Sequence, residues 1–197
     1  YYYQQMMQDH HIHVVNFQMG AYPFGNFVEI PGLRPNLYGK FTINLGVIIP
    51  EVFKLIYTKS LPNFISEPYC QIRQRVGSLM PESKDYWWDL NVEKDNLVSQ
   101  IRSNLIEVVF PYLNRFSSNN DVIKIWEQDK RFSLARCEPN PSITVAIILV
   151  NQGRRQLAEA LLRLEYREAI RLIQANRIKK ISKELGFENI ETSDEKL

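Results

Sequence analysis

The sequence predicts an α+β fold: a small antiparallel β-sheet packed against helices, with a C-terminal helical hairpin. Three observations carry this expectation. Apolar side chains alternate with period two in short runs as far as Val76. They then recur at helical spacing from Asp95 onward. Near the C-terminus a glycine, Gly153, separates two apolar stretches of helical character. Strands first and helices afterwards is the pattern of an α+β chain.

The chain opens on Tyr1 instead of Met and is strand-like at once, so a further N-terminal piece is expected ahead of it. Residues 11–19, HIHVVNFQM, suit a strand with His11, His13, Val15 and Phe17 on one face and Ile12, Val14, Asn16 and Gln18 on the other. Both faces are mixed. The stretch GAYPFGNFVEIPGLRPNLYG holds four glycines and three prolines in twenty residues and predicts a long loop. In FTINLGVIIP, residues 41–50, Phe41, Ile43, Leu45, Val47 and Ile49 alternate toward one side, the clearest strand in the chain. Residues 69–76 alternate as well, with Cys70, Ile72, Gln74 and Val76 inward and Tyr69, Gln71, Arg73 and Arg75 on a wet face.

After the segment KDYWWDL the periodicity becomes helical. Residues 95–110 place Leu97, Ile101, Leu105, Val108 and Val109 on one stripe, with Asp95 as the cap and Pro111 as the break or kink. A shorter helix at 121–129 contributes Val122, Ile125 and Trp126. Beyond Pro139 and Pro141, an apolar segment ends at Gly153 and a helix bearing Leu157, Leu161 and Leu164 follows. The expected organisation is therefore an α+β domain over 1–138, a helical hairpin over 139–186 packed on it, and a flexible acidic tail over 187–197.

The composition of the 197 residues, 45% apolar and 23% charged, is that of a globular protein with a real core. The longest apolar runs fall far short of the roughly 20 residues that a membrane span requires, so no membrane segment and no membrane partner are expected. Cys70 and Cys137 are the only cysteines and do not have metal-ligand spacing, so a reducing cytoplasm is expected, with neither a disulfide framework nor a zinc site. Charge is unevenly spread. Residues 1–150 carry 14 cations and 14 anions, while residues 151–183 carry nine cations against three anions. Arg154, Arg155, Arg163, Arg167, Arg171, Arg177, Lys179 and Lys180 form the candidate anion-contact set of that segment. Arginines and glutamates at helical spacing are equally the mark of a solvated helix face.

Five stretches in order carry a family resemblance: VVNFQ from Val14, FTINLGV from Phe41, the run from Cys70 to Leu79 with Arg73, Arg75 and Gly77, DYWWDL, and FPYLNRF from Phe110. Together they resemble the bacterial family known as domain of unknown function 4304, over roughly residues 10–165, with the paired tryptophan followed by aspartate as the most specific element. The resemblance implies a small bacterial intracellular protein of α+β type, usually opening with a helix before the first strand. It implies no activity, cofactor or partner. The basic 166–183 segment and the acidic tail lie beyond it.

No catalytic pattern emerges from the residues. His10, His11 and His13 are the only histidines, and no cysteine or carboxylate pattern completes a metal site around them. There is no nucleophile elbow, no base placed for Cys70 and no glycine-rich phosphate loop. What remains is a polar and aromatic constellation: Asn16, Gln18, Asn44, Arg73, Arg75, Trp87, Trp88 and Asp89. Arginine and tryptophan dominate binding hot spots, because they combine large desolvated area with directional donors. Against that stands a purely structural role, with Trp87 in the core, Trp88 over the sheet edge and Asp89 capping or pairing with Arg73 or Arg75. Three functions fit. The first is a non-enzymatic interaction protein of the immunity or antitoxin kind, whose partner is another protein. The second is a nucleic-acid-associated protein using residues 154–183. The third is an enzyme built on Arg73, Arg75 and Asp89. No cofactor is indicated.

Overall fold

The computed structural model describes residues 2–6, 12–17, 25–30, 40–57, 69–82, 85–89, 91–129, 140–169 and 171–191. Within them lie strands β1 (Tyr2–Met6), β2 (Ile12–Phe17), β3 (Gly25–Ile30), β5 (Asn44–Ile48) and β6 (Ile72–Arg75), of which β2, β5 and β6 arise from the alternating runs. These pair in the spatial order β1-β2-β3-β5-β6, every neighbour antiparallel. Two short strands, β4 (Lys40–Phe41) and β7 (Trp88–Asp89), form a separate antiparallel pair. The α+β class is borne out: a small antiparallel sheet packs against helices.

Two differences from the sequence reading concern this sheet. The glycine- and proline-rich stretch read as a loop contains β3, which pairs on both sides and is a central strand. Its prolines explain why it can: Pro23 and Pro31 bracket the hexapeptide GNFVEI, so every amide between them keeps its N–H for pairing. Gln71, placed on the wet face, is buried. The alternation begins only at Ile72, and just before it the Gln71 amide accepts from the Ile49 N–H at 2.8 Å and donates to the Tyr69 carbonyl at 3.0 Å.

Helix α1 (Pro50–Tyr57) follows β5 directly. Its proline occupies the first helical position, where no N–H is needed, and Val52 and Phe53 are its buried residues. The single turn α2 (Val76–Leu79) ends β6, and α3 (Lys94–Asn104) starts under a cap from Glu93, not from Asp95. The Glu93 carboxylate accepts from the Asp95 and Asn96 amides at 2.9 Å each. A π-turn, Leu105–Val109, joins α3 to α4 (Phe110–Asn114). Pro111 lies just beyond that turn, and a widened turn is one way a helix accommodates a residue with no N–H to give.

α5 (Asn119–Asp129), α6 (Pro141–Asn151), α7 (Arg155–Arg167) and α8 (Leu172–Glu184) complete the chain's helices among the described residues. α6 is apolar all round, and Ser142 through Leu149 are all buried, as a helix surrounded by protein requires. Asn140 caps it, accepting from the Ser142 amide at 2.7 Å. α6 and α7 form the expected hairpin, and Gly153 makes the turn with φ at +76°. On α7, however, Ala158 and Leu162 are the buried residues, while Leu157 and Leu164 are exposed. The helix is thus rotated away from the Leu157–Leu161–Leu164 stripe because α6 and α8 both pack against it.

One cluster of buried side chains runs from Phe41 to Ile190, taking in β5, β6, Trp88, α3, α5, α6, α7 and α8. Residues 187–191, expected in a flexible tail, contribute Phe187 and Ile190 to it, because apolar side chains interrupt the acids there. Residues 192–197 lie outside the described residues.

Candidate functional site at the sheet edge

Adjacent residues of an extended segment project to opposite sides, so Trp87 and Trp88 cannot share a surface. Trp88 is the inner ring. The β4–β7 pairing sets it opposite Phe41, their ring centroids 5.7 Å apart and stacked, while Tyr86 meets it edge-on at 4.9 Å. Trp88 is 1% exposed, and its buried indole Nε1 has no hydrogen-bond partner among the described residues. Thr42 secures the segment from the other strand, its hydroxyl donating to the Tyr86 carbonyl at 3.0 Å. The sequence reading had the two rings the other way round. The register of β4 against β7 decides which one enters, and a two-residue strand leaves no periodicity in the sequence to reveal it.

Trp87 is half-buried and belongs to a polar cluster. Its indole Nε1 donates to Asp85 Oδ2 at 3.2 Å, and the other oxygen, Oδ1, accepts from Arg75 Nη1 at 2.5 Å. The guanidinium carbon of Arg75 lies 5.5 Å from the Trp87 ring centroid, over its face. Arg75 Nε also donates to Asn44 Oδ1 at 3.4 Å across the β5–β6 ladder. Arginine, carboxylate and indole thus form a closed triangle, tied to the sheet by Asn44. With side-chain exposures of 28% for Arg75 and 57% for Asp85, the ion pair is solvated and contributes roughly 0–1 kcal/mol. Its main effect is to fix the orientation of an arginine and a tryptophan at the edge strand β6.

The remaining predicted residues divide. Asn44 and Arg75 share a register row with Glu29 and Val14, and Arg73 shares the row two along with Gly46, Phe27 and Asn16, the row of Leu45, Gln74, Val28 and Val15 lying between them. The amide- and arginine-bearing positions therefore fall on alternate rows, which share one face of the sheet, with β3 standing between β2 and β5. Gln18 lies outside the described residues. Asp89 is not the carboxylate that meets Arg75. It accepts from the Asn91 backbone and side-chain amides at 2.8 and 2.9 Å and so shapes the turn into α3. Asp85 was missed, although a signal was present: in an extended segment, a residue two positions before Trp87 shares its side.

His10 and His11 lie outside the described residues, and His13 pairs with Ile30 in the β2–β3 ladder. Among the described residues no group of histidine, cysteine, aspartate and glutamate is placed to hold a metal. Cys70 is buried in a small cluster with Ile48 and Phe53. Among the described residues no helix is long and apolar enough to cross a membrane.

The basic C-terminal segment spends several cations internally. Arg155 caps the end of α8, donating to the Leu185 and Gly186 carbonyls at 2.9 and 3.3 Å, with its guanidinium 4.6 Å from the Phe187 ring centroid. Arg163 pairs with Glu159 at 2.8 Å and donates to the Asn189 carbonyl at 3.1 Å. Lys179 pairs with Glu191 at 2.5 Å and lies 5.4 Å from the Tyr166 ring centroid. The Glu191 carboxylate, then the Tyr166 hydroxyl, hold the Lys179 ammonium above its ordinary pKa of 10.5. Arg177 is half-buried and engaged. Arg154, Arg167, Arg171 and Lys180 are exposed, although Arg167 Nε also donates to the Arg163 carbonyl at 3.4 Å.

The family profile described as "Domain of unknown function (DUF4304)" matches residues 2–115. The chain belongs to the DUF4304 family. The match covers β1 through α4 and so contains the whole Asn44–Arg75–Asp85–Trp87 cluster. It stops short of the span to about residue 165 that the sequence stretches led us to expect, leaving α5 to α8 outside the matched part. No curated protein and no solved structure matches the chain.

Proposed function

We propose that this DUF4304 protein is a non-enzymatic interaction module of the bacterial cytoplasm, of the immunity or antitoxin kind, that meets a protein partner at the sheet edge. The observation that carries this reading is the Asp85 bridge: one carboxylate holds both Arg75 and Trp87 in a fixed, half-exposed pose. Preorganised arginine and tryptophan lose little conformational entropy on binding, which is the property that separates hot spots from ordinary surface. Two further points favour binding over catalysis or nucleic acid. A carboxylate as solvated as Asp85 lacks the desolvation that tunes a general acid or base. Arg155, Arg163 and Lys179 of the basic segment are committed to contacts within the chain.

The test is affinity purification from the native host with wild type, Trp87→Ala and Arg75→Ala in parallel, each checked for folding by circular dichroism. A stoichiometric protein recovered with wild type and lost with both folded variants is the expected result. Recovery of no protein, or of one bound equally by all three, would remove the sheet edge as the interaction surface.

A further inference from the structure

Leu172 and Ile173, in the first turn of α8, are 77% and 81% exposed, the highest values of any large apolar side chain among the described residues. Burial does not account for them. α8 packs inward through Ile178, Ile181 and Ser182, and the two aliphatic side chains project elsewhere. Exposures this high belong to a protruding tip, since the walls of a groove would shield them. The surroundings are cationic: residues 167–184 carry Arg167, Arg171, Arg177, Lys179, Lys180 and Lys183 against Glu168 and Glu184, the Glu184 carboxylate lying 3.9 Å from the Lys180 ammonium in a solvated pair. Positions seven apart on a helix share a side, so Lys180 follows Ile173 along one row, and Lys183 closes the row that begins at Leu172. Arg167, Arg171, Lys180 and Lys183 are exposed.

We propose that the α8 tip and its exposed face form a docking surface for an anionic lipid membrane, a property independent of the sheet-edge reading. An aliphatic pair beside a row of cations fits the bilayer interface on both counts. The apolar side chains enter the boundary between headgroups and acyl chains, and the cations meet negative headgroups, each contributing about 1 kcal/mol, or roughly fivefold in affinity. A nucleic acid would use the cations but gains nothing from Leu172 and Ile173, because aliphatic side chains do not stack on bases. A protein partner would need a socket for two protruding aliphatics, whereas a fluid interface requires no such match. The chain docks peripherally, in keeping with helices among the described residues that are all too short to span.

Co-sedimentation of the full chain with vesicles tests this, using phosphatidylcholine alone and phosphatidylcholine mixed equally with phosphatidylglycerol. Wild type is expected to pellet with the anionic vesicles, to stay in solution with the neutral ones, and to be released as salt is raised. The Leu172→Glu/Ile173→Glu variant, which changes only exposed positions, is expected to remain soluble with an unchanged thermal transition. Lys180→Gln/Lys183→Gln is expected to weaken binding by about tenfold or more. Wild type that ignores anionic vesicles overturns the proposal. So does a Leu172→Glu/Ile173→Glu variant that pellets as well as wild type, or one whose affinity for duplex DNA matches wild-type vesicle binding, since cations alone would then be acting.

Discussion

Replacing Trp88 by alanine empties a site enclosed by Phe41 and Tyr86, and a large aromatic lost from a core costs about 3–5 kcal/mol. Urea denaturation is expected to show that loss for Trp88→Ala, while Trp87→Ala, at the half-buried outer position, changes stability by about 1 kcal/mol or less. Equal losses at the two positions would contradict the in-and-out assignment. Asp85 permits a finer test. Asp85→Asn keeps an acceptor for the Trp87 indole but discharges the partner of Arg75. It is expected to leave stability nearly unchanged, the pair being solvated, and to weaken partner binding by freeing the arginine to move. The residue types of this cluster were legible in the sequence because arginine beside tryptophan is an uncommon surface investment. Their geometry was legible only in part: the spacing of Asp85 and Trp87 is local, whereas the choice of inner ring follows from the pairing of β4 with β7, strands remote in sequence.

At the scale of elements, two helices end in the same device. After α6, the Gly153 N–H bonds the Val150 carbonyl and the Arg154 N–H bonds the Leu149 carbonyl; after α8, Gly186 and Phe187 bond Lys183 and Ser182 in the same way. Both glycines have φ at +76°. A methyl group at Gly153 would meet nothing within 4 Å, so Gly153→Ala isolates the backbone term, and a loss of roughly 1 kcal/mol in chemical denaturation is expected. A stabilising Gly153→Ala would rule out the left-handed turn. The end of α8 is also held by Lys179. Because its folded pKa is raised, its contribution to stability is complete below the ordinary lysine value of 10.5 and is lost as pH rises through the higher folded value. The melting-temperature gap between wild type and Lys179→Gln is therefore expected to persist at neutral pH and to close above 10.5. A gap that survives there would assign the effect to packing against Tyr166 instead. Strongly periodic elements such as β5, and the hairpin marked by Gly153, could be read directly. α1 and β3 could not: one is a short helix continuing an apolar strand run, and the other hides between prolines that flank it without interrupting it.

The whole molecule sets a limit on how the family's matched part can be understood. The DUF4304 match ends at Arg115, yet the sheet's inner face, through Leu45, Val47 and Ile72, joins the same buried cluster as Val122 on α5 and Val145, Ile147 and Ile148 on α6. The order of strands and then helices could be read from the change of period, because period is a local property. Whether the two halves share a core could not, since α6 is apolar on every side and gives no stripe to say what it faces. Removing residues 139–197 would strip the shared cluster of that helix and expose a set of aliphatic side chains that cannot be rehydrated without cost. A fragment of residues 1–138 is therefore expected to bind a hydrophobic dye, to aggregate, and to show no cooperative unfolding transition, whereas the full chain unfolds in one step. A sigmoidal transition in the fragment with a denaturant slope near that of the full chain would instead make the first 138 residues an autonomous domain and the C-terminal helices an appended one. The slope distinguishes the two cases because it scales with the surface exposed on unfolding, and a core shared by both halves exposes more of it than either half can alone.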